Sequence, residues 1–368
     1  MTTLDVGAPT LERIRSAPKV LLHDHLDGGL RPTTIIELAD ELGYRDLPAT
    51  EPGPLVDQMT KGANRKDLAL YLETFAHTIA VMQTPDSINR VARECAEDLA
   101  ADGVVYAEVR FAPELHRQRG LSLDDAIETV LDGFAAGSSD TELNIRAICT
   151  AMRNADNSLE VAQAAVRWRD RGVVGFDIAG AEDGFPPDDH IKAFQFCQRE
   201  NFHITVHAGE AYGPRSIWKA VQYCGSERLG HGIRIIEDIS DDEHGEPQLS
   251  RLAHFLRDRR IPLEICPTSN VNTGVVDSIA EHPIDQLIDL RFRVTLNTDN
   301  RLMSGVTVTS EMAALVDAFD YGWDRLRWLT VNGMKSSFLP FSERLQIIEQ
   351  VIKPRYAPLE AWSQDARI

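Results

Sequence analysis

Cysteine is scarce in this chain: there are five in 368 residues, and no two of them form a Cys-x-x-Cys pair. The odd count and the missing pair spacing argue against a disulfide framework and against a thiolate zinc site. Cys95, Cys149, Cys197, Cys224 and Cys266 each sit in an apolar context, as buried thiols do. Long hydrophobic runs are also missing. No apolar stretch approaches the roughly 20 residues that span a bilayer, and the N-terminal "MTTLDVGAPTLERIRSAPK" lacks the apolar core of a signal peptide. The expectation is a reducing, cytoplasmic location with no membrane partner. Positive charge is in short supply, with Lys+Arg at 38 against Asp+Glu at 57 and a formal net charge of −19. Phosphate binding is driven by Lys and Arg, so this balance disfavours nucleic acid as a partner. Three motifs are absent: G-x-G-x-x-G after a strand, H-E-x-x-H, and H-x-E with P-C-x-x-C. The dinucleotide turn, the zinc-protease helix and the cytidine-type deaminase plan drop out with them.

What is present is an alternation of short β-rich runs with longer helical segments. The candidate strands are "KVLLHDH", "GVVYAEVRF", "NIRAICTAM", "VVGFDIAG", "HITVHAG", "ERLGHG", "IPLEICPTS" and "RVTLNTD". Several are apolar on both faces, as buried parallel strands are. The clearest helix is "PDSINRVARECAEDLAADG": Ile88, Val91, Ala92, Cys95 and Leu99 recur at helical spacing, Asp86 or Ser87 is placed to cap its start, and Gly103 follows its end. Strands alternating with helices fit either a closed (β/α)8 TIM barrel or an open doubly wound sheet. The count of eight and the missing nucleotide-binding turn favour the barrel. No repeat or linker divides the chain, so residues 1–368 read as one domain. The stretch at about 31–100, which includes "RPTTIIELADELG", is too long for one crossover and reads as a helical insertion after strand one, covering the C-terminal mouth. "SERLQIIEQVIKPRYAPLEAW" reads as a last helix stopped by Pro354.

Barrel chemistry gathers at the C-terminal ends of the strands. Here strand one ends in His23, His25 and Asp27, strand five in His207 and Glu210, strand six in His231, and strand eight in Asp299 and Asn300. His23 and His25 alternate in register and so share a face of their strand, roughly 6–7 Å apart. Alone they read as well as two hydrogen-bonded core histidines as a metal grip; the partners at the same rim favour the metal. Histidine with carboxylate suits zinc, iron, cobalt or manganese, with zinc the default where no redox chemistry is signalled. An ion that lowers the pKa of bound water points to hydrolysis.

The segments "HDHLDG", "DIAG", "VHAGE", "RLGHG", "EICPTSN" and "LNTDN", in this order, resemble the adenosine deaminase family of amidohydrolases and span residues 23–300. The resemblance implies a (β/α)8 barrel and one Zn2+ per chain. It implies hydrolytic deamination of adenosine, and of 2′-deoxyadenosine, with release of ammonia. His23, His25, His207 and Asp299 would hold the metal. Metal-bound hydroxide would attack purine C6 while Glu210 protonates N1, for which Glu210 must keep its proton near pH 7 in a dry pocket or beside a negative charge. His231 would orient the attacking water. Asp27 would accept from the ribose hydroxyls, Gly180 would bring backbone to N3, and His25 and Asn300 would also line the purine site.

At one position the chain departs from the family pattern. The family commonly carries two adjacent aspartates at strand eight, and here the second is Asn300. Asn always carries donor hydrogens, so it would keep the contact to N7 without a raised pKa. Arg215, Arg234 and Arg301 lie just beyond three of the motifs; an arginine near the mouth would suit an anionic group on a modified adenosine, while the more usual role is a solvated or structural rim charge. Two other readings follow: a deaminase of adenine or of a 5′-modified acidic adenosine, and a non-catalytic binding or signalling barrel.

Overall fold

The computed structural model describes residues 7–365, so the first residues of the N-terminal segment read above lie outside the described residues. Eight parallel strands form the sheet: β1 (Lys19–His25), β2 (Val104–Phe111), β3 (Asn144–Met152), β4 (Val173–Ala179), β5 (His203–Ala208), β6 (Arg228–His231), β9 (Pro262–Ile265) and β10 (Arg293–Leu296), hydrogen-bonded in that order. All eight are the strands expected from the sequence. A small antiparallel hairpin, β7 (Ile239–Asp241) with β8 (Pro247–Leu249), intervenes between β6 and β9. The sequence reading missed it because "ISDDEHGEPQL" has no apolar alternation and both strands are largely exposed.

The sheet closes on itself just beyond the end of β10. The amide of His25 donates to the Asp299 carbonyl at 2.7 Å, and the amide of Asp299 donates to the His23 carbonyl at 3.0 Å. Lower down, the Asn297 side chain takes the place of a strand: its Oδ1 accepts from the amides of Leu22 and His23 at 2.9 and 3.1 Å. The seam of the barrel therefore runs beneath the strand-end histidines and couples Asp299 to them through backbone.

An ordinary barrel is filled by layers of branched apolar side chains. In this one the layer under the mouth is charged. Arg110 pairs with Asp177 and Glu264, each at 2.7 Å, and Arg228 pairs with Glu108 at 2.7 Å and Glu264 at 2.6 Å. All are buried. Two guanidinium groups face three carboxylates, which leaves an excess of negative charge. Buried ion pairs give little net stability because desolvation offsets their attraction. A net-negative layer is, however, a favourable floor for a site that holds a cation.

Between β1 and β2 run helices Pro32–Leu42, Pro52–Ala63, Leu68–Leu72, Phe75–Val81 and Pro85–Ala101. The last of these is capped by Thr84 and not by Asp86 or Ser87, with Ser87 as the reciprocal partner in the first turn. Gly103, at φ +80°, ends it as expected. The C-terminal expectation fails: Pro354 does not stop the helix. A wider π turn at Ile348–Ile352 runs directly into helix Lys353–Asp365, so the chain stays helical through Pro354. All five cysteines are free and buried. Among the described residues no helix is long and apolar enough to cross a membrane.

Candidate active site

A cavity of about 300 Å³ opens at the C-terminal mouth. His25, Asp27, Gly180, Glu210, His231 and Asn300 are among its lining residues, with His207 and Asp299 at its floor. Side chains of helices Leu68–Leu72 and Phe75–Val81 roof it with apolar surface. The inserted helices thus supply an apolar wall, and the strand ends supply the polar and ionisable groups.

The strand-end ligands converge. His23, His207, His231 and Asp299 each offer one ligand atom, all within 4.8 Å of one another. His25 joins them, with its Nε2 at 3.1 Å from His207 Nε2 and 3.4 Å from Asp299 Oδ1. His23 Nε2 lies 3.2 Å from Asp299 Oδ1. Behind the rings stand the buried carboxylates of the charged layer. His23 Nδ1 donates to Glu264 at 3.0 Å, and His207 Nδ1 lies 2.9 Å from Asp177. A ring that gives its Nδ1 proton to a carboxylate presents a lone pair at Nε2. His23 Nε2 thus turns toward an anionic carboxylate oxygen and His207 Nε2 toward His25, an arrangement suited to a cation; burial lowers the pKa of His23, but its hydrogen bonds to Asp299 and Glu264 outweigh this and raise it. Burial lowers the pKa of His25 and His207, keeping both neutral, although the Asp177 charge opposes this at His207. Burial raises Asp299, but the His23 hydrogen bond and the surrounding imidazoles hold it well below the usual carboxylate range. Ser269 Oγ donates to its second oxygen at 2.6 Å.

Both His231 and Asp299 take left-handed backbone, φ +61° and +60°. Such conformations are uncommon outside glycine and collect at functional sites. Gly180, at φ +107°, sits where any side chain would be strained, so the backbone is left bare against the cavity.

Glu210 is buried and its Oε2 lies 3.5 Å from His231 Nε2. Burial, then the charges of Asp299 and Glu182, push its pKa well above the ordinary value. Enclosure and neighbouring negative charge are the surroundings in which a carboxyl group keeps its proton to higher pH. Burial likewise lifts Asp27 to about 7. Asp27 Oδ1, Glu210 Oε1 and Asn300 Oδ1 are buried without a partner in the protein. Buried polar atoms are rarely left so, and these three border one cavity.

The three arginines take structural or solvated positions and none faces the cavity. Arg301 is partly buried and donates to Asp24 at 3.0 Å. Arg234 donates to the Glu210 carbonyl and to Glu237. Arg215 borders a separate cleft beside Glu182 and Tyr212. Among the described residues no arginine or lysine lines the cavity.

Several residues that shape the site were not singled out from the sequence. Asp177 and Glu264 open the "DIAG" and "EICPTSN" segments, and their strand positions put them on the barrel interior. Glu182 follows "DIAG" and accepts from the amides of Gly209, Glu210 and Tyr212 at 2.7, 3.0 and 2.9 Å. Arg153 donates to the carbonyls of His207 and Phe185. An acidic residue two positions after a strand-end glycine was the only signal available for Glu182.

Comparison with known proteins agrees with this geometry. The family model for adenosine deaminase matches residues 18–354. An adenosine deaminase of Mycobacterium tuberculosis is 58% identical over 363 residues, 97% of this chain and 100% of its own length. Adenosine deaminase 1 of Streptomyces coelicolor is 57% identical over 358 residues, 96% of this chain and 90% of its own. In fold the chain is similar to the adenine deaminase of Arthrobacter aurescens, with a TM-score of 0.78 at 24% identity over 95% of this chain and 99% of the other. The family is zinc-dependent, and the convergent histidines and Asp299 could hold such an ion. This chain belongs to the adenosine deaminase family, the hydrolytic deaminases of the amidohydrolase superfamily.

Proposed function

We propose that this protein converts adenosine, and 2′-deoxyadenosine, with water to inosine or deoxyinosine and ammonia. The observation that carries the reading is the placement of a buried Glu210, its pKa raised well above the ordinary value, beside a convergent histidine–aspartate cluster in a cavity that no described arginine or lysine lines. His23, His25, His207 and Asp299 would hold one zinc ion per chain. When bound, the ion supplies a Lewis acid that makes water acidic near neutrality. Glu210 holds the proton that N1 receives, which makes C6 electrophilic. His231, 3.5 Å from Glu210, orients the water on the C6 side. Asp27 accepts from the ribose, the backbone at Gly180 meets N3, and Asn300 donates to N7.

Asp27 favours a nucleoside over free adenine, because the free base would leave its buried oxygen unpartnered. The absence of a cationic lining residue disfavours a 5′-phosphorylated or 5′-carboxylated substrate. A purely binding or signalling barrel would have no need of the donor acid and the complete ligand set. Five buried thiols support a reducing, cytoplasmic setting.

The test is ammonia release from adenosine, adenine and a 5′-carboxylated adenosine, with and without a chelator. Adenosine is expected to turn over fastest, and metal extraction is expected to abolish the reaction. Equal turnover of adenine and adenosine would overturn the nucleoside assignment.

A further inference from the structure

His231 lies among potential ligands, yet the group behind its ring differs from those behind His23 and His207. Those two rings are backed by carboxylates, which accept. His231 is backed by an amide: Asn270 Nδ2 lies 3.1 Å from His231 Nδ1. Behind Asn270 stands His282, whose Nε2 lies 3.2 Å from Asn270 Oδ1. Behind His282 stands the backbone amide of Ile284, 3.1 Å from His282 Nδ1. All three side chains are buried.

The direction of this chain is determined at its far end. A backbone N–H can only donate. His282 Nδ1 must therefore accept from Ile284, and since burial keeps this ring neutral, with its pKa lowered to about 3, its one proton sits on Nε2. That proton goes to Asn270, so the oxygen of Asn270 faces His282 and its NH2 faces His231. His231 Nδ1 must then accept, and its proton sits on Nε2, the atom that faces Glu210. A protonated ring nitrogen has no lone pair for a metal.

We propose that Asn270 and His282 are positioning residues that hold His231 as the Nε2–H tautomer, so that it enters the cavity as a hydrogen-bond donor and is kept out of the metal's ligand set. The inference rests on the reading of His231 as the residue beside the attacking water, and it deepens that reading by explaining how one histidine in a cluster of four is reserved for it. The polarity of the group behind the ring separates these three histidines: carboxylates behind His23 and His207 draw the proton to Nδ1 and free Nε2 for a cation, and a donor behind His231 leaves the proton on Nε2.

The experiment is a long-range proton–nitrogen correlation spectrum of the zinc-loaded protein carrying labelled histidine, with the His231 signals assigned by their loss in His231→Asn. In the unaltered protein the His231 proton is expected on Nε2 alone. In Asn270→Asp, which keeps the shape and replaces the donor by an acceptor, the proton is expected on Nδ1, with kcat falling roughly 10²-fold and KM changing far less. His282→Leu is expected to lose activity, and His282→Gln, which restores a donor toward Asn270, to recover most of it. A His231 proton on Nδ1 in the unaltered protein would overturn the proposal even if Asn270→Asp failed to fold. So would an Asn270→Asp protein with the proton still on Nε2 and kcat intact. The spectrum is independent of turnover, so a protein that failed to deaminate adenosine yet showed the Nε2 proton would sink the substrate assignment and leave the tautomer assignment standing.

Discussion

The carboxylate of Glu182 accepts the backbone amide of Glu210 at 3.0 Å, and together with its bonds to Gly209 and Tyr212 it holds the turn that aims Glu210 into the cavity. Hydrogen bonds to a charged acceptor are worth about 1.5–3 kcal/mol each, and a buried donor left unmade costs a similar amount. One buried side chain thus sets the position of the acid, and its charge also helps to keep that acid protonated.

Replacing Glu182 by Gln retains the volume but turns an NH2 group toward amides that need an acceptor. Glu182→Gln is expected to lower the urea midpoint and to reduce kcat by up to about 10²-fold through displacement of Glu210, while zinc content holds. Steady-state kinetics and metal analysis on the same preparation check this. A variant with unaltered kcat would show that the turn is held by other contacts.

Glu210 itself carries a pH prediction. Its pKa is raised by burial first and by the charges of Asp299 and Glu182 after that. The protonated form is the donor, so kcat/KM holds below the raised pKa and falls as pH climbs through it. Stability has the same sign. Above the unfolded value near 4.5 the folded chain retains a proton that the unfolded chain has released, so the stabilisation present at low pH is lost as pH rises through the folded pKa. Glu210→Gln is therefore expected to melt higher than the unaltered protein at mildly alkaline pH while losing roughly 10²–10⁴-fold in kcat. Matching alkaline limbs in the two pH–rate profiles would contradict the assignment.

Asn300 is buried at the cavity with its Oδ1 unpartnered. Its amide donates at any pH, whereas an aspartate donates only when protonated. Asn300→Asp is expected to leave adenosine binding near normal at the acidic end and to raise KM as pH increases. Titrating KM against pH for both proteins reads this directly. Abolition of purine binding at every pH would mean that Asn300 does not contact N7 in this way.

Much of the site was legible along the chain because β-strands are periodic and their ends are recognisable. In "LLHDH", His23 and His25 reach the cluster while Asp24 between them pairs with Arg301 and accepts from Thr298 at 2.8 Å. That alternation follows from the two-residue repeat of a strand. The cap of the helix that starts at Pro85 was misassigned to Asp86 or Ser87 in place of Thr84 because all three are good capping types, and the choice depends on which backbone leaves the helix. The π turn ahead of Pro354 was invisible because it depends on how the last helices pack.

By itself the sequence determined the eight buried strands, the family motifs at their ends, and hence which side chains could meet at the C-terminal mouth. These are consequences of local periodicity and residue chemistry. Only the tertiary structure decided how those side chains are biased: Glu182 reaching 28 residues forward to the Glu210 amide, Glu264 backing His23 across 241 residues, and Ile284 setting the polarity of His282, Asn270 and His231. The physical reason is that protonation states and tautomers depend on partners and burial, and closure of the barrel brings distant segments into that contact.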